Sequence, residues 1–150
     1  MSAAAPRLLM VCLGNICRSP TAEAALRAEA TAHGLALEVD SAGTGSWHVG
    51  NPPDARMRVA AARAGLAMDH LRARQVGPRD FTRFDAIYAM DASNRADLEA
   101  LRPSGNATPV HLFRADGLDV PDPYYTSTFD EVVTLIRGEA ARIVADIASR

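Results

Sequence analysis

The chain has 150 residues, a formal net charge of −2 and two cysteines, Cys12 and Cys17. That length makes one domain whose core needs no disulfide staples, and the near-zero charge leaves no basic field for nucleic acid or for an acidic membrane surface. No signal peptide and no apolar run of about eighteen residues is present, so a cytoplasmic protein without a membrane span is expected. All sixteen basic residues are arginine, which reads as coding bias rather than as function.

Met1 to Pro6 is a small-residue lead-in, expected to be flexible. Arg7 to Val11 (RLLMV) is short and apolar, an interior strand. It runs into CLGNICRSP, Cys12 to Pro20, and then into the helical pattern TAEAALRAEATAHG. In that pattern Ala22, Ala25, Leu26 and Ala30 share one face, and Gly34 is the stop. A strand, a tight loop and a helix start aim successive backbone N–H groups, here those of Leu13, Gly14, Asn15, Ile16 and Cys17, at one point that suits an anion.

The residue types in the loop fit that chemistry. Only a thiolate is a strong sulfur nucleophile, and helix N-termini and cationic neighbours favour it; Cys12 has both, with the planar guanidinium of Arg18 closing the loop. Gly14 lets the backbone approach a tetrahedral ligand, and Asn15 tolerates a left-handed turn conformation. Ser19 is placed to donate a hydroxyl hydrogen bond to the thiolate, and Pro20 suits the first helical turn.

Leu35 to Asp40 alternates as a second strand, followed by a loop, Ser41 to Pro53, that carries the only tryptophan. Trp47 either plugs the core edge or flanks a flat aromatic ligand. Pro53 to Ala64 is a second helix started by Pro53 or Asp54, and Leu66 to Asp80 has no strong periodicity. Phe84 to Asp91 is the third strand, and the helix after it is capped by Asp91 or Ser93. Thr108 to Phe113 is the fourth strand, with His111 as a partly buried side chain. In RADGLDVPDPYY the Asp-Pro dipeptide alone reads as a turn; taken with the cysteine loop, Asp122, which lies between two prolines and precedes Tyr124 and Tyr125, is the candidate general acid, whereas Asp116 and Asp119 lack an aromatic flank. From Phe129 to Ile147 one apolar face runs over five turns, Phe129, Val132, Val133, Ile136, Ala140, Ile143, Val144 and Ile147.

The strand and helix alternation predicts an α/β fold, a single-domain doubly wound parallel sheet of four strands, flavodoxin-like, with helices on both faces. Ligands in such sheets sit at the carboxyl ends of the strands, where the loops after strands one and four converge.

CLGNICRSPTAEA, together with NPPD at Asn51 to Asp54 and DPYY at Asp122 to Tyr125, resembles the low-molecular-weight protein tyrosine phosphatases from about Arg7 to the C-terminus. The resemblance implies hydrolysis of phosphotyrosine, and of small aryl phosphates, through a phosphocysteine on Cys12. Arg18 and the loop amides hold the phosphoryl oxygens and Asp122 acts as acid and then base, without metal or cofactor. It makes Trp47 one wall of the substrate groove, with Tyr124 and Tyr125 lining it, and Ser41 a support for the loop. Where the family has a histidine four residues before the glutamine of the ARQ stretch, this chain has Leu71, and His70 is one residue further back. Either an insertion returns His70 to the loop-supporting network or that support is missing. Expected partners are phosphotyrosine proteins or peptides and inorganic phosphate, with no nucleic acid or membrane, and the chain is expected to be a monomer forming one phosphatase domain over residues 1–150.

Related chemistries are less well matched. Arsenate reductases of this fold use further cysteines near mid-chain, absent here, and arginine phosphatases carry threonine where this loop has Ile16. A module that binds phosphate without turnover is opposed by the intact Cys12, Arg18 and Asp122. Cys17 is either a buried loop thiol or the partner of Cys12 in a reversible protective disulfide.

Overall fold

The structure, a computed structural model, describes residues 4–150. Strand β1 is Arg7–Cys12, followed by α1 (Arg18–Ala32), β2 (Glu38–Gly43), α2 (Ala55–Arg63) and α3 (Asp80–Arg83). Then come β3 (Ala86–Ala89), α4 (Ala92–Leu101), β4 (Val110–Leu112), α5 (Pro123–Thr126) and α6 (Phe129–Ala148). The four strands are parallel in the order β2-β1-β3-β4. Among the described residues no helix is long and apolar enough to cross a membrane.

Alternation along β1 separates the two layers that cover the sheet. Leu8, Met10 and Cys12 face a core shared with α1, α2 and α6, whereas Leu9 and Val11 face Phe81, Phe84, Ile87 and Leu98. Both faces are dry, which is why RLLMVC reads as a continuous apolar run rather than an alternating one. The long apolar face of α6 is as the periodicity predicts: Val132, Val133, Ile136, Ala140, Ile143 and Val144 are buried, with Phe129 and Ile147 at its margins.

Several boundaries differ from the sequence expectation. The second strand is Glu38–Gly43 rather than Leu35 to Asp40, because its parallel register pairs Arg7 with Glu38 and Cys12 with Gly43. Ser41 therefore stands on a strand and not in the following loop. β3 and β4 are shorter than Phe84 to Asp91 and Thr108 to Phe113. Pro109 precedes β4 and has no N–H to give, though its carbonyl accepts from Ile87 (3.0 Å).

His111 is exposed rather than partly buried, since β4 is an edge strand, and its ring rests against Tyr88 (5.2 Å between centroids). Residues 66–79, without strong periodicity, run past the free edge of β2. There Gly43 N–H donates to Arg74 O (2.9 Å) and Val76 N–H to Gly43 O (2.8 Å). Of the lead-in, residues 1–3 lie outside the described residues; Pro6 is tied down, its carbonyl accepting from Glu38 N–H (2.9 Å).

Candidate active site

Cys12 ends β1, and the chain turns at once. Asn15 takes φ +56°, the left-handed conformation that its residue type favours. That turn aims the Asn15 N–H back at Cys12 Sγ (3.3 Å), while α1 begins at Arg18 and brings Ser19 Oγ to 3.0 Å from the same sulfur.

Behind the loop lies a buried chain of hydrogen bonds. The Asn15 Nδ2 amide donates to Ser19 Oγ (2.7 Å) and Ser41 Oγ (3.0 Å), Asn15 Oδ1 accepts from Arg74 N–H (3.0 Å), and Ser41 Oγ donates to Glu23 Oε1 (2.6 Å). Because Ser19 Oγ already accepts from Asn15, its own hydrogen is free, and Cys12 Sγ at 3.0 Å is nearer than Ala42 O at 3.4 Å. A thiolate at Cys12 has no hydrogen of its own to give, so toward it Ser19 is the donor, and the thiolate receives two hydrogen bonds, from Ser19 Oγ and from the Asn15 N–H. Burial pushes the Glu23 carboxyl upward, against the Ser41 hydrogen bond and the Arg27 cation, whose Nη1 is 2.5 Å away. His70 does not join this network: it is exposed. The backbone N–H of Arg74 satisfies Asn15 Oδ1 instead.

Arg18 is buried at 2% exposure and fixed from behind, its Nη1 donating to Asp91 Oδ2 (2.7 Å) and Val120 O (3.0 Å). Nη2 is 3.3 Å from Asp122 Oδ2. Burial alone would lower the Arg18 pKa; the charge of Cys12, the Asp91 hydrogen bond and Asp122 outweigh it and carry it upward. The other thiol is different in kind: burial, then the nearby Asp54, push Cys17 far above the ordinary thiol range, so it stays protonated. Both cysteines are free and buried.

The mouth is a cavity of about 200 Å³ floored by Cys12, Leu13, Gly14, Ile16, Cys17 and Arg18. Its walls are Trp47, His48, Asp122, Tyr124 and Tyr125. Trp47 is a wall and not a core plug, being 63% exposed. Asn15 lies behind the loop rather than on the cavity surface. Of the competing carboxylates, Asp116 is paired with Arg114 (2.6 Å) and Asp119 accepts from Ala92 N–H (3.0 Å), and neither lines the cavity. Asp122 does, and its other oxygen, Oδ1, accepts from Tyr124 N–H at the start of α5 (3.1 Å).

Four residues here escape sequence reasoning. His48 packs on the loop, its Cδ2 3.0 Å from where a Cβ on Gly14 would lie, with its ring 6.2 Å from both Trp47 and Tyr124. Asp91 is legible only as a helix cap, which it is, accepting from Asn94 N–H (2.7 Å) with the oxygen that does not hold Arg18. Glu23 and Arg74 lie inside the quoted TAEA and ARQ stretches but carry no role there; each reaches the loop network through a contact distant in sequence. Among the described residues no group of three or more His, Cys, Asp or Glu is placed to hold a metal ion.

A family model described as low molecular weight phosphotyrosine protein phosphatase matches residues 7–150. The chain belongs to this family. A curated member from Bacillus subtilis, low molecular weight protein-tyrosine-phosphatase YfkJ, is 43% identical over 147 residues, covering 93% of this chain and 94% of that protein. The human low molecular weight phosphotyrosine protein phosphatase is 39% identical, with 82% of each chain covered. The crystal structure of Bacillus subtilis YfkJ superposes with a TM-score of 0.90 at 41% identity, over 98% of this chain and 97% of that one. This chain is accordingly a low-molecular-weight protein tyrosine phosphatase, an enzyme acting on phosphoproteins, and its four-stranded flavodoxin-like sheet is that of its family.

Proposed function

We propose that this phosphatase removes phosphate from phosphotyrosine in two steps on Cys12, with Asp122 as the proton carrier. One observation carries the reading: a single sulfur, with the Ser19 hydroxyl at 3.0 Å and the Asn15 N–H at 3.3 Å, opens onto the same cavity as Arg18 and Asp122. In the first step the Cys12 thiolate forms the S–P bond as the P–O bond to the tyrosine ring breaks, and Asp122 gives its proton to the departing oxygen. In the second, water attacks phosphorus, its proton passes to Asp122, and the S–P bond breaks to return the thiolate and inorganic phosphate. The amides of Leu13, Gly14, Ile16 and Cys17 and the Arg18 guanidinium balance the charge on the phosphoryl oxygens, and the hydrogen bonds from Ser19 and the Asn15 N–H make Cys12 a better leaving group.

The wall of Trp47, His48, Tyr124 and Tyr125 suits the flat ring of phosphotyrosine. Domain boundaries of 1–150, a monomer, product inhibition by phosphate and a reducing, cytoplasmic setting that spares the thiolate complete the proposal. The test is hydrolysis of p-nitrophenyl phosphate. Cys12→Ser is expected to fall to background while still binding inorganic phosphate, because the amides and Arg18 remain; full activity in Cys12→Ser overturns the reading.

A further inference from the structure

The acid-bearing segment, residues 122–128, stands on the surface with Ser127 at φ +61° between its short helix α5 and the start of α6. One side chain from elsewhere packs on Tyr124 within it and on Phe129 just beyond it. The guanidinium carbon of Arg56 lies 5.7 Å from the Tyr124 ring centroid and 4.7 Å from that of Phe129, the first residue of α6. Arg56 is itself held flat by Asp54, whose carboxylate accepts from Arg56 Nε (3.1 Å) and Nη2 (2.9 Å). A fork bound along its edge leaves its two faces for aromatic rings, a geometry that lysine does not reproduce. Asp54 is in turn tied to the anion loop, its N–H donating to Ile16 O (2.8 Å).

We propose that Arg56 is a positioning residue for the general acid, completing a chain from Ile16 through Asp54 to Tyr124. Tyr124 N–H holds Asp122 Oδ1 at 3.1 Å, so the place of the Tyr124 backbone sets the place of the carboxyl group relative to Cys12. The inference rests on the reading of Asp122 as the acid that protonates the leaving oxygen. Arg56 touches neither the phosphoryl group nor the sulfur; it acts by keeping the acid over the scissile bond.

The experiment compares kcat/KM for phenyl phosphate with kcat/KM for p-nitrophenyl phosphate, since kcat/KM covers the steps up to P–O cleavage and the second phenolate needs little help to leave. The quantity read is the ratio of the two within each variant, in which a general loss of folded or active protein cancels. Asp122→Asn is expected to raise the preference for p-nitrophenyl phosphate furthest. Arg56→Ala is expected to raise it in the same direction by roughly threefold or more, a fraction of the ~10²–10⁴ that a general acid contributes. Arg56→Lys, which keeps the charge and loses the flat fork, is expected to follow Arg56→Ala and serves if that variant does not fold. A ratio unchanged from the parent in every folded Arg56 variant, with Asp122→Asn shifted, overturns the role of Arg56 alone. An unchanged ratio in Asp122→Asn overturns the general-acid reading on which it rests.

Discussion

Asn15 joins three tasks in one side chain and one backbone conformation. Its left-handed φ turns the loop, its N–H points at the nucleophile, and its amide connects Ser19, Ser41 and the Arg74 backbone. Alanine resists φ +56° and leaves Ser19, Ser41 and the Arg74 N–H each short of a buried partner. Asn15→Ala is therefore expected to cost roughly 1–3 kcal/mol of stability in chemical denaturation, by strain and by unpaired polar groups. It is also expected to free the Ser19 hydroxyl from its present orientation and lower kcat more than it raises KM. Wild-type stability together with wild-type kcat in Asn15→Ala contradicts these roles. The Cys12, Arg18, Ser19 and Asn15 relations are legible in the sequence because all four lie within one short stretch, where strand, turn and helix geometry leave little freedom.

Elements supply what that stretch alone does not reveal. Asp91 reaches Arg18 across 73 residues of sequence and Glu23 meets Ser41 across 18. Both contacts depend on how β3 and β2 flank β1, a register that no local pattern encodes. The second strand is a case in point: Leu35 to Asp40 alternates well, yet pairing with β1 extends the strand through Ser41, Ala42 and Gly43, small residues beneath the anion loop. Gly43 is small of necessity, since a Cβ there would lie 2.7 Å from Leu13 O and 3.1 Å from Asn15 N, both backbone atoms that cannot rotate away. Gly43→Ala is expected to destabilise by about 1–3 kcal/mol, the cost of overpacking, and to displace the loop. Thermal unfolding and phosphate affinity measured on one sample check it, with both expected to fall; an unaltered phosphate affinity speaks against this contact. His70 has the opposite lesson. Its residue type fits a support role, but the chain path places it on the surface, and a backbone N–H takes that role.

At the scale of the molecule, the sheet order β2-β1-β3-β4 puts β1 inside and gathers the functional groups at its carboxyl end. Cys12 comes from the end of β1, the Trp47 and His48 wall from the loop after β2, Asp91 from just after β3 and Asp122 from the long connection after β4. This is the convergence expected of a doubly wound sheet, and it brings Cys12 and Asp122, 110 positions apart in sequence, to the lining of one small cavity. The exposed aromatic residues cluster at that mouth, Trp47 with Tyr124 and Tyr125, which is where a protein bearing phosphotyrosine would first make contact. The proposed chemistry turns on one event, the transient bonding of the Cys12 sulfur to phosphorus. The most direct measurement is rapid acid quenching of the wild-type enzyme during turnover of p-nitrophenyl phosphate, followed by digestion and mass spectrometry. A phosphoryl group on the peptide that carries Cys12, and on no other residue, is the predicted result. Turnover without any phosphorylated peptide, or with the label on a different side chain, would contradict it.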